Sequence, residues 1–198
     1  MPLSTPAPRT LQHTRRVTYH GYERADGLWD IEGELHDSKP FEIGSMTGTA
    51  PLPAGAPVHS MAIRATINLS LVVQSIEVCM DAFPLQGCPK AQAALQRMVG
   101  CTMTSGWRRS IDTHLGGVAS CTHLRELLFN MATAAFQTLS ETMAVTLPAD
   151  VMPRYIGQCT GWDWDGDGVR IHHPQFYGRS DLAVKRPARG KDDGGSGR

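Results

Sequence analysis

The sequence predicts an α+β fold: an antiparallel sheet of hairpins backed by two or three helices. Three observations lead there. Up to Met80, apolar and polar residues alternate in short runs separated by turn signals, which is strand periodicity. Beyond Pro84 the apolar residues recur at three- and four-residue spacing, which is helix periodicity. Strands that precede helices in chain order, rather than alternating with them, describe an antiparallel sheet with helices against it. The length of 198 residues suits one compact domain with tails. The expected organisation is a flexible tail over 1–12, a single domain over 13–178 and a polar, Gly-rich, disordered tail over 179–198.

The first hairpin pairs 17–22 with 28–35 and turns at Asp26-Gly27, a dipeptide suited to tight hairpin turns. Residues 44–57, rich in Gly, Pro, Ala and Thr, make a loop. In the second hairpin Met61, Ile63, Ala65 and Ile67 share one face. After a turn at 68–70, Val72, Ile76, Val78 and Met80 continue the alternation.

Ala91, Ala94, Leu95, Met98 and Val99 then follow helical spacing, with Cys88-Pro89 at the start and Gly100 at the end. A short helix over 106–114 closes at Gly116-Gly117. The strongest helix covers 123–141, with Leu124, Leu127, Leu128, Met131, Ala135 and Leu139 as its apolar stripe and Thr122 as N-cap. A last hairpin is expected over 155–172, turning at Asp165-Gly166-Asp167-Gly168.

Nineteen basic residues balance nineteen acidic ones, which argues against a nucleic-acid partner. No stretch is long and apolar enough to span a membrane, and residues 1–10 lack the apolar core of a secretory signal. Five cysteines are too sparse for a disulfide scaffold, so a reducing cytoplasm is the expected location. Serine-hydrolase, phosphate-loop and dinucleotide-binding motifs are absent from the sequence.

The residues that carry chemistry sit at predicted element boundaries. His59 precedes a strand, Cys88 precedes a helix, and Cys121-Thr122-His123 precedes the long helix. Thiolate and imidazole suit zinc, iron or an iron–sulfur cluster. Asp81, at a strand exit, is a further carboxylate candidate beside its commoner role in turns. Cys79, Cys101 and Cys159 read as packing or reserve positions. Asp163 to Gly168 looks like the opening of a calcium loop, but the twelfth position is Pro174 where a bidentate glutamate is needed, so a turn is the better reading.

His13-Thr14-Arg15-Arg16, Gly27 through Gly33, Gly116-Gly117 through Leu124 and Ala132 through Gln137 together resemble an uncharacterised bacterial family, a domain of unknown function (DUF2889). The resemblance covers about 8–174 and implies no established activity. More distantly, the order from His59 to Leu139 is similar to that of the iron–sulfur cluster assembly scaffold proteins. There a Pro-x-Cys segment precedes a strand, a second cysteine opens a helix, and a His-Cys pair opens the last long helix. By this likeness His59 of Pro57-Val58-His59 replaces the first cysteine and Cys88 takes the second place. Cys121 and His123 stand for the pair, with one residue inserted and the order reversed. The likeness implies a scaffold-like fold with added N- and C-terminal hairpins.

Three functions from different classes remain open at this point. The first is a metal-binding protein with His59, Cys88, Cys121 and His123 as ligands, and Asp81 as a fifth candidate, holding zinc or an iron–sulfur cluster in a scaffold-like or metal-assisted catalytic role. A metal-free acyl- or thioester-transfer enzyme would instead use Cys121 as nucleophile with His123 or His59 as base, and Arg15, Arg16 or Arg108 holding an anionic substrate. In the third, Trp29, Trp107, Trp162, Trp164 and Tyr22 line an apolar pocket of a small-ligand or partner-binding module.

Overall fold

The computed structural model describes residues 3–44, 50–146, 148 and 150–183. Parts of the expected 44–57 loop and of both tails lie outside the described residues. The chain forms two compact units, Met1–Met143 and Ala144–Arg198.

In the first unit four strands form an antiparallel meander: β1 (Thr14–Glu23), β2 (Trp29–Ser38), β3 (Pro57–Ile67) and β4 (Val73–Ala82), in the order β1-β2-β3-β4. The fold is α+β, as the periodicity predicts. Gly27 in the β1–β2 turn has φ +80°, a conformation that glycine adopts without steric cost. Strand β2 alternates strictly, burying Trp29, Ile31, Leu35 and Asp37 on one face. On β3 the same face carries Met61, Ile63, Ala65 and Ile67. The register slips between Thr66 and Ile67, so Val73 rather than the expected Val72 joins Ile76 and Met80 in the core.

The helices cover this face. A helical stretch runs from the 3-10 turn Cys88–Lys90 through α1 (Ala91–Ala94) to the 3-10 turn Leu95–Met98. Helix α2 (Trp107–Leu115) follows, then α3 (Thr122–Thr146). All six residues of the expected apolar stripe on α3 are buried, in one core with the inward residues of the sheet. Two side chains anchor α3 through its backbone: Tyr19 Oη donates to Leu127 O at 3.2 Å and Trp107 Nε1 donates to Leu128 O at 2.7 Å. Where β1 passes under α3, Gly21 leaves no room for a Cβ, because Thr138 occupies that space. The helix begins one residue earlier than expected. The Arg125 N–H donates to Cys121 O at 3.0 Å, so Cys121 takes the N-cap position and Thr122 lies inside the first turn.

The second unit is built of short helical pieces around Ile156, Val169 and Phe176, with Tyr155, Trp162 and Trp164 packed on them. The expected hairpin over 155–172 is instead a 3-10 turn, Thr160–Trp162, followed by α4 (Asp167–His172). Gly157, at φ +72° beneath the Trp164 indole, interrupts the first presumed strand. Asp167 opens α4 and pairs with Arg170 at 2.8 Å, an i,i+3 contact that a strand would separate. The tryptophans are divided accordingly. Trp29 and Trp107 are buried in the first core, Trp162 and Trp164 pack in the second unit, and Tyr22 is exposed.

Candidate functional site

The strand alternation that buries Ile31 and Leu35 also turns Asp37, two residues further on, toward the core at the end of β2. His59 lies directly across the ladder from it, and Arg15 is its partner on β1. The start of α3 brings His123 to the same end of the sheet. Four segments distant in sequence therefore meet there.

Asp37 is the hub. Arg15 grips it with a fork, Nε to Oδ1 and Nη2 to Oδ2, both at 2.8 Å. His13 Nε2 donates to Oδ1 at 3.0 Å and His59 Nδ1 donates to Oδ2 at 3.1 Å. The second amino group of Arg15 reaches Glu126 on α3 at 2.8 Å, which closes the clamp between sheet and helix. Burial on its own would push the Asp37 carboxyl up, but the hydrogen bonds and charge of Arg15, helped by His13, outweigh it and hold the pKa at about 2. Asp37 is thus a carboxylate whose side chain is only 4% exposed.

The two inner histidines are held differently. Burial lowers the pKa of His59 despite the Asp37 charge. His123 is lowered by burial and then by the neighbouring His59 and Arg15. Their ring centroids lie 4.0 Å apart, with the planes tilted by 39°. Since Asp37 is ionised, its bond to His59 places a proton on Nδ1 and leaves a lone pair on Nε2. His123 Nε2 lies 3.9 Å from Asp37 Oδ2, and its Nδ1 lies 3.7 Å from Cys121 Sγ.

Among the described residues, Asp37, His59 and His123 form the one group of three or more histidine, cysteine or acidic residues whose potential ligand atoms all lie within 4.8 Å of one another. Two expected site residues, His59 and His123, are therefore together. Cys121 touches the group through His123, while Cys88 and Asp81 are not members of it. Cys88 opens its 3-10 turn and packs against the core. Asp81 Oδ1 accepts a hydrogen bond from Cys79 Sγ at 3.0 Å. Of the proposed anion anchors, Arg15 is committed to Asp37 and Glu126, and Arg108 lies over the Phe129 ring at 5.0 Å.

The family model described as a protein of unknown function (DUF2889) matches residues 13–137. The chain belongs to the DUF2889 family. No curated protein and no solved structure matches it. Every residue of the cluster, from His13 to Glu126, lies inside the DUF2889 match, and the match begins at His13 itself. The second unit, which starts at Ala144, lies beyond the DUF2889 match. No helix among the described residues is long and apolar enough to cross a membrane.

Sequence reasoning missed Asp37 and the roles of His13 and Arg15. The signal for Asp37 was present: it extends the odd-numbered inward series of β2 by one step past Leu35.

Proposed function

We propose that the cluster is a mononuclear metal centre with Asp37, His59 and His123 as its ligands. The observation that carries this reading is the convergence of the three ligand atoms within 4.8 Å. Asp37 Oδ2 stands 3.1 Å from His59 Nδ1 and 3.9 Å from His123 Nε2. Those values bracket the separation of about 3.3 Å that tetrahedral bonds of about 2.0 Å impose on two ligands. Charge also fits. Glu126 offsets Arg15, so with Asp37 the neighbourhood keeps one net negative charge for a dication.

Two imidazoles and one carboxylate suit zinc or ferrous iron and leave coordination positions open, where a bound ion would act as a Lewis acid. Arg15 and His13 would keep Asp37 oriented from outside the coordination shell, a usual arrangement for a ligating carboxylate. An ion on His59 Nδ1 would shift the ring proton to Nε2, a change of tautomer with no net proton released. Protonation of the histidines in acid would compete with the ion, so affinity would fall at low pH. The absence of a cysteine from the converging group favours a single ion over an iron–sulfur cluster, which is held mainly by thiolates.

The test is metal content after equilibration of tag-free protein with zinc or, anaerobically, ferrous iron, followed by desalting. One equivalent retained by the wild type and by Cys88→Ala, and lost in His59→Ala and His123→Ala, is the expected result. Failure of the wild type to retain either ion would overturn the reading.

One observation favours a second reading. Cys121 Sγ lies 3.7 Å from His123 Nδ1 at the start of a long helix, the placement of a thiol nucleophile with its base. Rapid alkylation of Cys121 in chelator-treated protein, slowed at least tenfold by His123→Ala, would support it. Slow alkylation in both proteins would reject it.

A further inference from the structure

A cavity of about 520 Å³ opens at the same end of the sheet, and none of Asp37, His59 or His123 lines it. Its size is within the range of sites for small organic molecules. One wall carries Ile43 and Leu52, joined by two reciprocal backbone hydrogen bonds of 2.9 Å. The start of β3 supplies Val58, and the chain leaving β4 supplies Phe83 and Leu85. Pro84 and Pro89, whose φ is fixed, stiffen that exit. Phe83 and Leu85 are 38% and 53% exposed, so apolar surface faces the opening.

The charge in this wall is one-sided. Asp81 lines the cavity, and among the described residues no lysine, arginine or histidine does. Cys79 donates to Asp81 Oδ1, which fixes the carboxylate, and among the described residues no cation pairs with it. A ligand with its own carboxylate or phosphate would meet an uncompensated negative charge, whereas a cationic one would complete an ion pair.

We propose that this cavity binds small molecules with an apolar body and a protonated amine, the body lying against Leu52, Val58, Phe83 and Leu85 and the ammonium on Asp81. Pro84 and Pro89 restrict the backbone where the chain leaves β4, so little ordering of that wall opposes binding. The site requires no metal, and its failure would leave the reading of the His/Asp centre untouched.

Calorimetric titration of the full chain with 4-phenylbutylamine and with 4-phenylbutanoate tests it, since the two probes share a body and differ in charge. The amine should bind at one equivalent, at least tenfold tighter than the acid. Asp81→Asn should weaken the amine about tenfold, the scale of one charge-assisted hydrogen bond, and bring the two probes together. Leu85→Lys should abolish amine binding, and both changes are at exposed positions, so folding should persist by circular dichroism. The proposal falls if the amine fails to bind, binds no tighter than the acid, or is unaffected by Asp81→Asn.

Discussion

Arg15 and Asp37 meet fork to fork across the first two strands, with two parallel hydrogen bonds of 2.8 Å. The carboxylate is buried while the guanidinium is one-third exposed, so the pair is asymmetric. Removing the guanidinium would leave a buried negative charge supported only by histidines. Arg15→Ala should therefore destabilise the first unit by about 2 kcal/mol, below the range for fully buried pairs because water reaches Arg15. Arg15→Lys should recover less than half of this, because one ammonium cannot donate along both branches of the fork. Urea denaturation of the three proteins measures it, and equal stability of wild type and Arg15→Ala would contradict the clamp.

The same pair sets an acid limit. The Asp37 pKa is about 2 in the folded protein, against an ordinary value of 3.8. A depressed folded-state pKa stabilises above the unfolded value, and that stabilisation is lost as pH falls toward the folded one. In chelator-treated protein, Asp37 should contribute about 2 kcal/mol above pH 4.5, declining between about pH 4 and pH 2. Asp37→Asn should flatten the stability curve in that window. An unchanged slope would show that the carboxylate is not held as its contacts imply.

Gly21 marks the closest approach of sheet and helix. A Cβ there would overlap the side chain of Thr138, whose hydroxyl donates to Ala134 O at 2.9 Å. Gly21→Ala should cost about 1–3 kcal/mol through overpacking. Thr138→Ala removes the two outer atoms of the clash, so the double variant should be more stable than the sum of the single changes predicts. Strict additivity in thermal or urea unfolding would place the two residues out of contact.

The sheet and the long helix were legible because both bury one face, and burial imposes a period of two or of about 3.6 on the sequence. His59 and His123 were legible as lying close to element starts, although both fall just inside, His59 as the third residue of β3 and His123 as the second of α3. A boundary position does not determine which way a side chain faces, however, and Cys88 turns to the core beside its own 3-10 turn. Asp37 escaped notice because an acid on an inward position reads as the end of a strand until its partner Arg15 is known. That partner is 22 residues earlier, and the pairing is a product of the β1–β2 register. In the second unit, alternating acids from Asp163 to Asp167 mimicked a strand turn. Gly157 and the short apolar core decided for helical turns instead.

Cys79 and Cys159 are both exposed thiols, yet their surroundings differ. The Cys79 thiol donates to Asp81 Oδ1 at 3.0 Å, and this bond, followed by burial and the carboxylate charge, raises its pKa. Alkylation proceeds through the thiolate, so raising the pKa lowers the reactive fraction at a given pH. At pH 8 Cys79 should react with iodoacetamide several-fold more slowly than Cys159 when the modified peptides are quantified by mass spectrometry. Asp81→Asn removes the charge and the strongest acceptor, and should bring the Cys79 rate up toward that of Cys159. Equal rates for the two cysteines in the wild type would mean that the carboxylate does not hold the thiol proton, and would also remove the anchor that fixes Asp81 in the cavity wall.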